Sequence, residues 1–428
     1  MTWRLPAALA FGLAPLLLAP AWVTVLAWTA LVAGLAGLDL VLAASPRALG
    51  VKRAPLAAIR LTDSATSALT ISNATGRTAR LRLRDAWPAS AGAASEVRQL
   101  RVPAGEARRS GGALQPRRRG DFQADLVTLR SFGPLGLAGR QRSVAVEGRL
   151  RVLPEFRSRR QLPSRLARLR ELDGRAAAQT RGQGTEFDSL REYALGDDVR
   201  SIDWRASARA EHVMVRTWRP ERDRRVLILL DTSRWAAGRV GDQTRLDAGI
   251  EVALLLGAVA AAGGDRVEML AADRVLRAQA APVLGASTLA SLADQLALVE
   301  PALVEANWSR IAALIQARVR QRALVVLVTS TDPALVEVGL GPTLETLLRR
   351  HVVMVAAVRD PGDAALRAGR ADSDALFDAA AAERRQLAVA ATEERLRAAG
   401  AQVVTALPDA LAAAVADAYL SLKAAGRL

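Results

Sequence analysis

The chain has no cysteine, which excludes disulfides, thiolate metal sites and a thiol nucleophile. Its two histidines, His212 and His351, are far apart in sequence and lack the spacing of paired metal ligands. Lysine is nearly absent: Lys52 and Lys423 are the only two, and neither sits in a glycine-rich phosphate loop. No Gly-x-Ser-x-Gly elbow exists for a serine nucleophile. Aromatic residues are 4% of the chain, too few to build a base-stacking track for single-stranded nucleic acid. What remains for chemistry is carboxylate. Asp197, Asp198 and Asp203 have the right type for acid–base or metal work, but the arginines around them favour ion pairing instead.

Cations are plentiful, and almost all are arginine. The net charge is +16 over 428 residues. Residues 51–150 carry 18 Lys+Arg against 7 Asp+Glu, residues 151–225 carry 18 against 12, and residues 226–428 carry 21 against 23. The positive field therefore belongs to the part that follows the N-terminal apolar stretch. An anionic lipid surface is the natural partner of such a field. Nucleic acid is the competing and less favoured partner.

From Leu5 to Leu38 no residue is charged, a run of 34. One straight helix of that length would reach about 50 Å, well beyond a bilayer core. Pro15 and Pro20 fall mid-run, so residues 1–44 are expected to form a transmembrane hairpin, with helices near 3–18 and 21–43. The run is about twice the length of a secretory leader. Arg4 precedes the hairpin, and Arg47, Lys52 and Arg53 follow it. The positive-inside rule then puts both termini and the main domains in the cytoplasm, on the inner membrane.

Residues 45–155 show period-two alternation, as in Leu81-Arg82-Leu83-Arg84, with glycine and proline punctuation. That pattern predicts a small β-rich, sandwich-like domain. The run Ser131 to Leu137 reads as a tight turn that feeds apolar residues into a core. Residues 224–428 alternate apolar runs (Val226–Leu230, 266–271, Leu324–Val328, His351–Val358, Gln402–Thr405) with helical patterns. The expected fold is α/β, a doubly wound parallel sheet covered on both faces. Ligands on such sheets bind at the carboxyl ends of the strands, where Asp231 and the Thr329–Asp332 loop fall.

Between these parts lies residues 156–223, and within it the densest stretch of the chain. Residues 182–209 read GQGTEFDSLREYALGDDVRSIDWRASAR. Opposite charges interleaved with large apolar groups predict a rigid ion-pair network on a packed base. The network is expected beside the strand-end face of the sheet, with Asp231 near its arginines.

This stretch resembles the bacterial family catalogued as domain of unknown function 58. The matching positions are Gly184, Glu186, Phe187, Leu190, Arg191, Tyr193, Gly196, Asp197, Asp198, Arg200, Ile202, Asp203, Trp204, Ala206, Ala208 and Arg209. The resemblance implies a membrane hairpin, a β-rich segment, this signature, and then a domain like the von Willebrand factor A domain. Because the residues offer no catalytic constellation, a membrane-anchored protein-interaction or scaffold role is expected rather than an enzyme. The implied partner is a MoxR-type AAA+ ATPase, in envelope stress or protein-complex assembly. A metal- or carboxylate-dependent enzyme at the inner membrane is the alternative.

Von Willebrand A domains often hold Mg²⁺ through Asp-x-Ser-x-Ser, a threonine and a further aspartate. Here Asp231 and Ser233 match, but Trp235 replaces the second serine, and Arg234 brings a positive charge to the cation's place. The sequence therefore offers a degenerate metal site, with Mg²⁺ as its only candidate cofactor.

Overall fold

The computed structural model describes residues 3–18, 21–93, 97–179, 186–194, 197–219, 224–283, 285 and 287–428. Gly184 and Gly196 of the signature lie outside that set, as do the side chains of Glu186 and Phe187. The chain divides into two compact units, Met1–Glu155 and Phe156–Leu428.

In the first unit the apolar run does not form two equal helices. Helices α1 (Arg4–Ala10) and α2 (Leu13–Leu18) are separated at Phe11–Gly12, while α3 runs unbroken from Trp22 to Leu42. The single helix expected near 3–18 is thus two pieces, each about 10 Å long. Both pack on α3. Gly12 permits this, because a Cβ there would run into the Trp28 indole, and Trp28 Nε1 donates to the Ala8 carbonyl at 3.1 Å. Among the described residues one stretch, Trp22–Ala48, is long and apolar enough to cross a membrane.

The end of α3 is tied to the β-rich part. Asp39, the first charge after the apolar run, is fully buried. Its carboxylate accepts the backbone N–H groups of Leu135 (2.8 Å), Leu137 (2.7 Å) and Ala138 (3.0 Å). The Ser131–Leu137 run is a turn, as expected, but its work is to receive this carboxylate. Arg77 caps the same helix end by donating to Val41 O at 2.8 Å.

The alternating segments form two sheets. Strands β1 (Leu49–Arg53), β3 (Ala65–Asn73) and β6 (Ala107–Leu114) make one; β2 (Ile59–Arg60), β8 (Gly139–Leu153), β7 (Gly120–Phe132), β4 (Ala79–Asp85) and β5 (Val97–Val102) make the other. In β4 every second residue faces inward, and Leu81 and Leu83 meet Leu69 and Ile71 of the facing sheet. Asp85 also points inward. Its charge is held by Arg53 (2.7 and 3.0 Å), Ser67 (2.8 Å) and Trp87 Nε1 (3.0 Å). Burial opposes the ionised form, but these donors outweigh it and leave the carboxyl below its usual range.

The second unit begins with α4 (Leu162–Gln179). It continues through β9 (Glu186–Glu192), α5 (Trp204–Ser207) and β10 (Met214–Arg219). Next come β11 (Arg225–Asp231), α6 (Arg234–Ala237), the short pair β12 (Arg239–Val240) and β13 (Gln243–Thr244), and α7 (Arg245–Ala262). After α7 follow β14 (Arg266–Ala272), β15 (Leu276–Val283), α8 (Ser287–Leu296), α9 (Trp308–Arg318), β16 (Leu324–Val328), α10 (Pro333–Leu335) and α11 (Gly341–Leu348). The last elements are β17 (Val352–Val358), α12 (Pro361–Ala368), α13 (Ser373–Ala398), β18 (Gln402–Ala406) and α14 (Pro408–Ala424).

Six of these strands form one sheet in the order β15-β14-β11-β16-β17-β18. Five run parallel, and β15 returns antiparallel at the edge. The continuous apolar runs follow from burial on both sides. Leu227, Leu229, Val325 and Leu327 meet α9 and α11 on one face. Leu230 and Val328 meet α7 on the other, where Gly249 lets helix and sheet approach: its Cβ would sit 3.0 Å from Val328. Thr244 and Asp247 form a capping box that starts α7.

Candidate functional site

The signature folds as an antiparallel hairpin with its connecting segment laid against it. Glu192 pairs with Met214 and Leu190 with Arg216, and the register shifts at Thr217–Trp218. Glu186 and Phe187 stand opposite Arg219 and Trp218. Three aspartates shape the connection, each using a short side chain to satisfy local N–H groups.

Asp197 accepts a two-point fork from Arg191, Nη1 at 2.7 Å and Nη2 at 2.6 Å, and the Ala194 N–H at 2.9 Å. The Arg191 hydrogen bonds, then that N–H, hold its carboxyl below the usual range. Asp198 caps the 3₁₀ turn Val199–Ser201 through the Arg200 N–H at 3.0 Å. Asp203 caps α5 by accepting from the N–H groups of Arg205 and Ala206, both at 3.0 Å, while its other oxygen accepts from Arg216 Nε at 2.8 Å. The Ala206 N–H first, then Arg216, depress its pKa.

The expected ion pairs form, but the packed base beneath them is slight. The side chain of Arg191 is 40% exposed and that of Arg216 is 47% exposed. Val215 supplies the buried base. Trp204 is 70% exposed and Val199 is 62% exposed. Tyr193, Arg200, Arg205 and Arg209 are also exposed, and none of the three arginines has an ion-pair partner among the described residues. Charge–charge alternation reads the same in sequence whether a segment is buried or solvated. Only the tertiary partners distinguish the two cases.

The expected link between signature and strand end is likewise absent among the described residues. Every hydrogen bond and ion pair of the described side chains from Leu190 to Arg216 ends within that stretch. Asp231 has other partners: Ser233 N–H at 2.8 Å on one oxygen and Thr329 Oγ1 at 2.6 Å on the other. Burial, then the nearby charge of Asp273, pushes the Asp231 carboxyl up despite those donors. Asp273 itself lies low: burial opposes its charge, but Arg277, the Val275 N–H and Thr232 overcome it.

The donor set at the strand ends does not fit a divalent cation. Ser233 Oγ caps α6 by accepting the Trp235 N–H. Thr329 gives its proton to Asp231, and Asp332 caps α10. Glu305 pairs with Arg234 at 2.6 Å, and Asn307 caps α9. Arg234 lies over the Trp235 ring, 5.1 Å from its centroid. The guanidinium that lines the small cavity beside Asp231, Thr329 and Trp235 belongs to Arg245, on α7. That cavity holds about 20 Å³. One raised carboxyl, hydroxyls already engaged and a half-buried arginine make a poor cradle for Mg²⁺. Among the described residues no three His, Asp or Glu side chains gather as metal ligands. Arg245 went unnoticed in the sequence. The Thr244-x-x-Asp247 box marks a helix start there, but nothing local tells which way the first helical side chain turns.

These features define an α/β protein with a buried, mostly parallel sheet and a solvent-facing, salt-linked hairpin before its first strand. The chain belongs to the family described as "Protein of unknown function DUF58", which it matches over residues 189–406. Two uncharacterized proteins, Rv1480 of Mycobacterium tuberculosis and Mb1516 of Mycobacterium bovis, are each 24% identical to it over 192 residues, 43% of this chain and 58% of theirs. The chain thus spans 58% of the length of these curated relatives. Among solved structures it is similar to the PapD-like domain 7 of human CEP192, at 8% identity over 25% of this chain and 85% of that one, with a TM-score of 0.20. It is also similar to trypsin-activated alpha-2-macroglobulin of Escherichia coli, at 10% identity over 50% of this chain and 13% of that one, with a TM-score of 0.21.

Proposed function

We propose that this protein is a membrane-anchored interaction module that presents the signature hairpin to a protein partner in the cytoplasm. The observation that carries the reading is Trp204, 70% exposed on a segment whose acids and arginines are spent on holding its own shape. Tryptophan and arginine are both enriched among interface hot-spot residues, and they occur together here. Arg200 and Arg205 stand on the same short connection, ready to meet acidic groups.

The partner proposed is a MoxR-type AAA+ ATPase, on the strength of the resemblance in the signature. The C-terminal sheet is read as von Willebrand A-like, supported by its strand order and its antiparallel edge strand. On this reading its strand-end site has lost metal binding and serves as structure. The basic residues on both sides of the apolar segment support a cytoplasmic orientation at the inner membrane. Hydrogen exchange on the full chain in lipid nanodiscs, with and without the ATPase, tests the reading. Protection is expected across residues 190–216. An exchange pattern unchanged there by a bound ATPase would place the docking face elsewhere.

A further inference from the structure

The amino-terminal end of the parallel sheet carries a second concentration of arginine, at the opposite end of β11 from Asp231. A cavity of about 350 Å³ opens there, with Arg224, Arg225, Gln321 and Arg322 in its wall. Val226 stands opposite Leu324 in the register, and Arg224 and Arg322 each lie two residues before that pair, at the entry to neighbouring strands. None of the three arginines has an ion-pair partner among the described residues. Arg225 Nε is buried without an acceptor. Arg322 donates one hydrogen bond, to the Arg427 carbonyl at 3.4 Å. Asp265 also lines the cavity, but its carboxylate accepts from Tyr419 OH at 2.5 Å and from Lys423 Nζ at 3.1 Å. It is therefore already neutralised. Leu428 completes the wall.

Three arginines in the wall of one cavity, with no carboxylate left free to pair them, make it attractive to an anion. Guanidinium forks match phosphate oxygens in two-point geometry, and the cavity has the volume of an ordinary small-ligand site. We infer that this cavity binds a phosphate-bearing anion through Arg224, Arg225 and Arg322. The phosphate belongs either to a soluble compound or to a lipid headgroup. The inference is independent of the role of the signature.

The test uses the full chain in phosphatidylcholine nanodiscs, titrated with inorganic pyrophosphate by calorimetry at fixed ionic strength. A soluble source predicts saturable binding that the double variant Arg224→Ala/Arg322→Ala weakens about tenfold or more. A lipid source predicts little pyrophosphate binding. In that case amide exchange at residues 322–324 slows when phosphatidylglycerol is added to the nanodiscs, and the same variant abolishes the slowing. The single variant Arg322→Glu, at an exposed position, should give the same losses with unchanged melting, which separates binding from folding. If neither probe binds, or if both bind equally well to wild type and variants, the inference is wrong.

Discussion

Arg191 and Asp197 form a two-point pair, six residues apart in sequence, with both N–H···O contacts at 2.7 Å or less. The pair closes the turn that follows β9, yet it faces solvent. Its role is therefore local shape rather than global stability, since exposed pairs are screened by water and salt. Arg191→Lys keeps the charge and loses the fork. The Ala194 amide, which also donates to Asp197, is expected to exchange faster in that variant while the melting temperature stays put. The same logic fixes the pH response. Asp197 is depressed in the folded state, so its contribution is present above its unfolded pKa, about 3.9. It is lost as pH falls through the folded value. NMR titration of the Asp197 carboxyl and the Ala194 amide should report one common transition. A large fall in melting temperature for Arg191→Lys would show that the hairpin is part of the global core.

Asp231 responds in the opposite direction. Its carboxyl is raised by burial, with Asp273 adding to the effect. A raised folded-state pKa means that its stabilising contribution is complete below about pH 3.9 and is lost as pH rises through the folded value. Asp231→Asn removes the buried charge while keeping an acceptor for the Ser233 N–H, and Thr329 can turn its hydroxyl to accept from the new amide. The variant should melt higher than wild type at about pH 8, and the gain should vanish toward about pH 4. Millimolar Mg²⁺ should leave the melting temperature of wild type unchanged, because a ligand stabilises only what it binds. Stabilisation by Mg²⁺ that Asp231→Asn abolishes would restore the metal site.

The junction between α3 and the β-rich part rests on Asp39 and the turn that encloses it. A Cβ at Gly133 would overlap the backbone oxygen and the carboxylate of Asp39. Gly133→Ala must therefore push the turn off the helix end, and a loss of about 2 kcal/mol or more is expected. Asp39→Ala leaves three amides without their acceptor, each costing roughly 1–3 kcal/mol if water cannot reach it. Thermal melting of the full chain in nanodiscs checks both. Wild-type melting in the two variants would mean that the turn does not depend on the carboxylate.

Much of the C-terminal architecture was legible because its signals are strong. The runs Val226–Leu230 and Leu324–Val328, short, apolar and alternating with helical patterns, read as strands buried on both faces. The antiparallel strand β15 was not anticipated: Leu276 to Val283 is rich in alanine, and its short alternation carries little weight before the pairing with β14 is known. The first apolar helix was also misjudged, because Pro15 is tolerated in the first turn of α2 while the interruption falls earlier, at Phe11–Gly12. At the site, the acids and arginines of the signature were identifiable, but their exposure was not. Asp39 and Arg245 were missed for one reason. A lone charge at a helix end gives no hint, within its own segment, of the distant loop or cavity that it will meet.

We propose that the solvent-facing indole of Trp204 is a contact made with a protein partner. Its most direct test is the dissociation constant between the full chain in nanodiscs and a MoxR-type ATPase from the same organism, for wild type and for Trp204→Ala. The substitution is expected to weaken binding about thirtyfold, the ~2 kcal/mol of an interface hot spot, with no change in melting temperature. Equal affinity for the two proteins, or no binding by wild type, would contradict it.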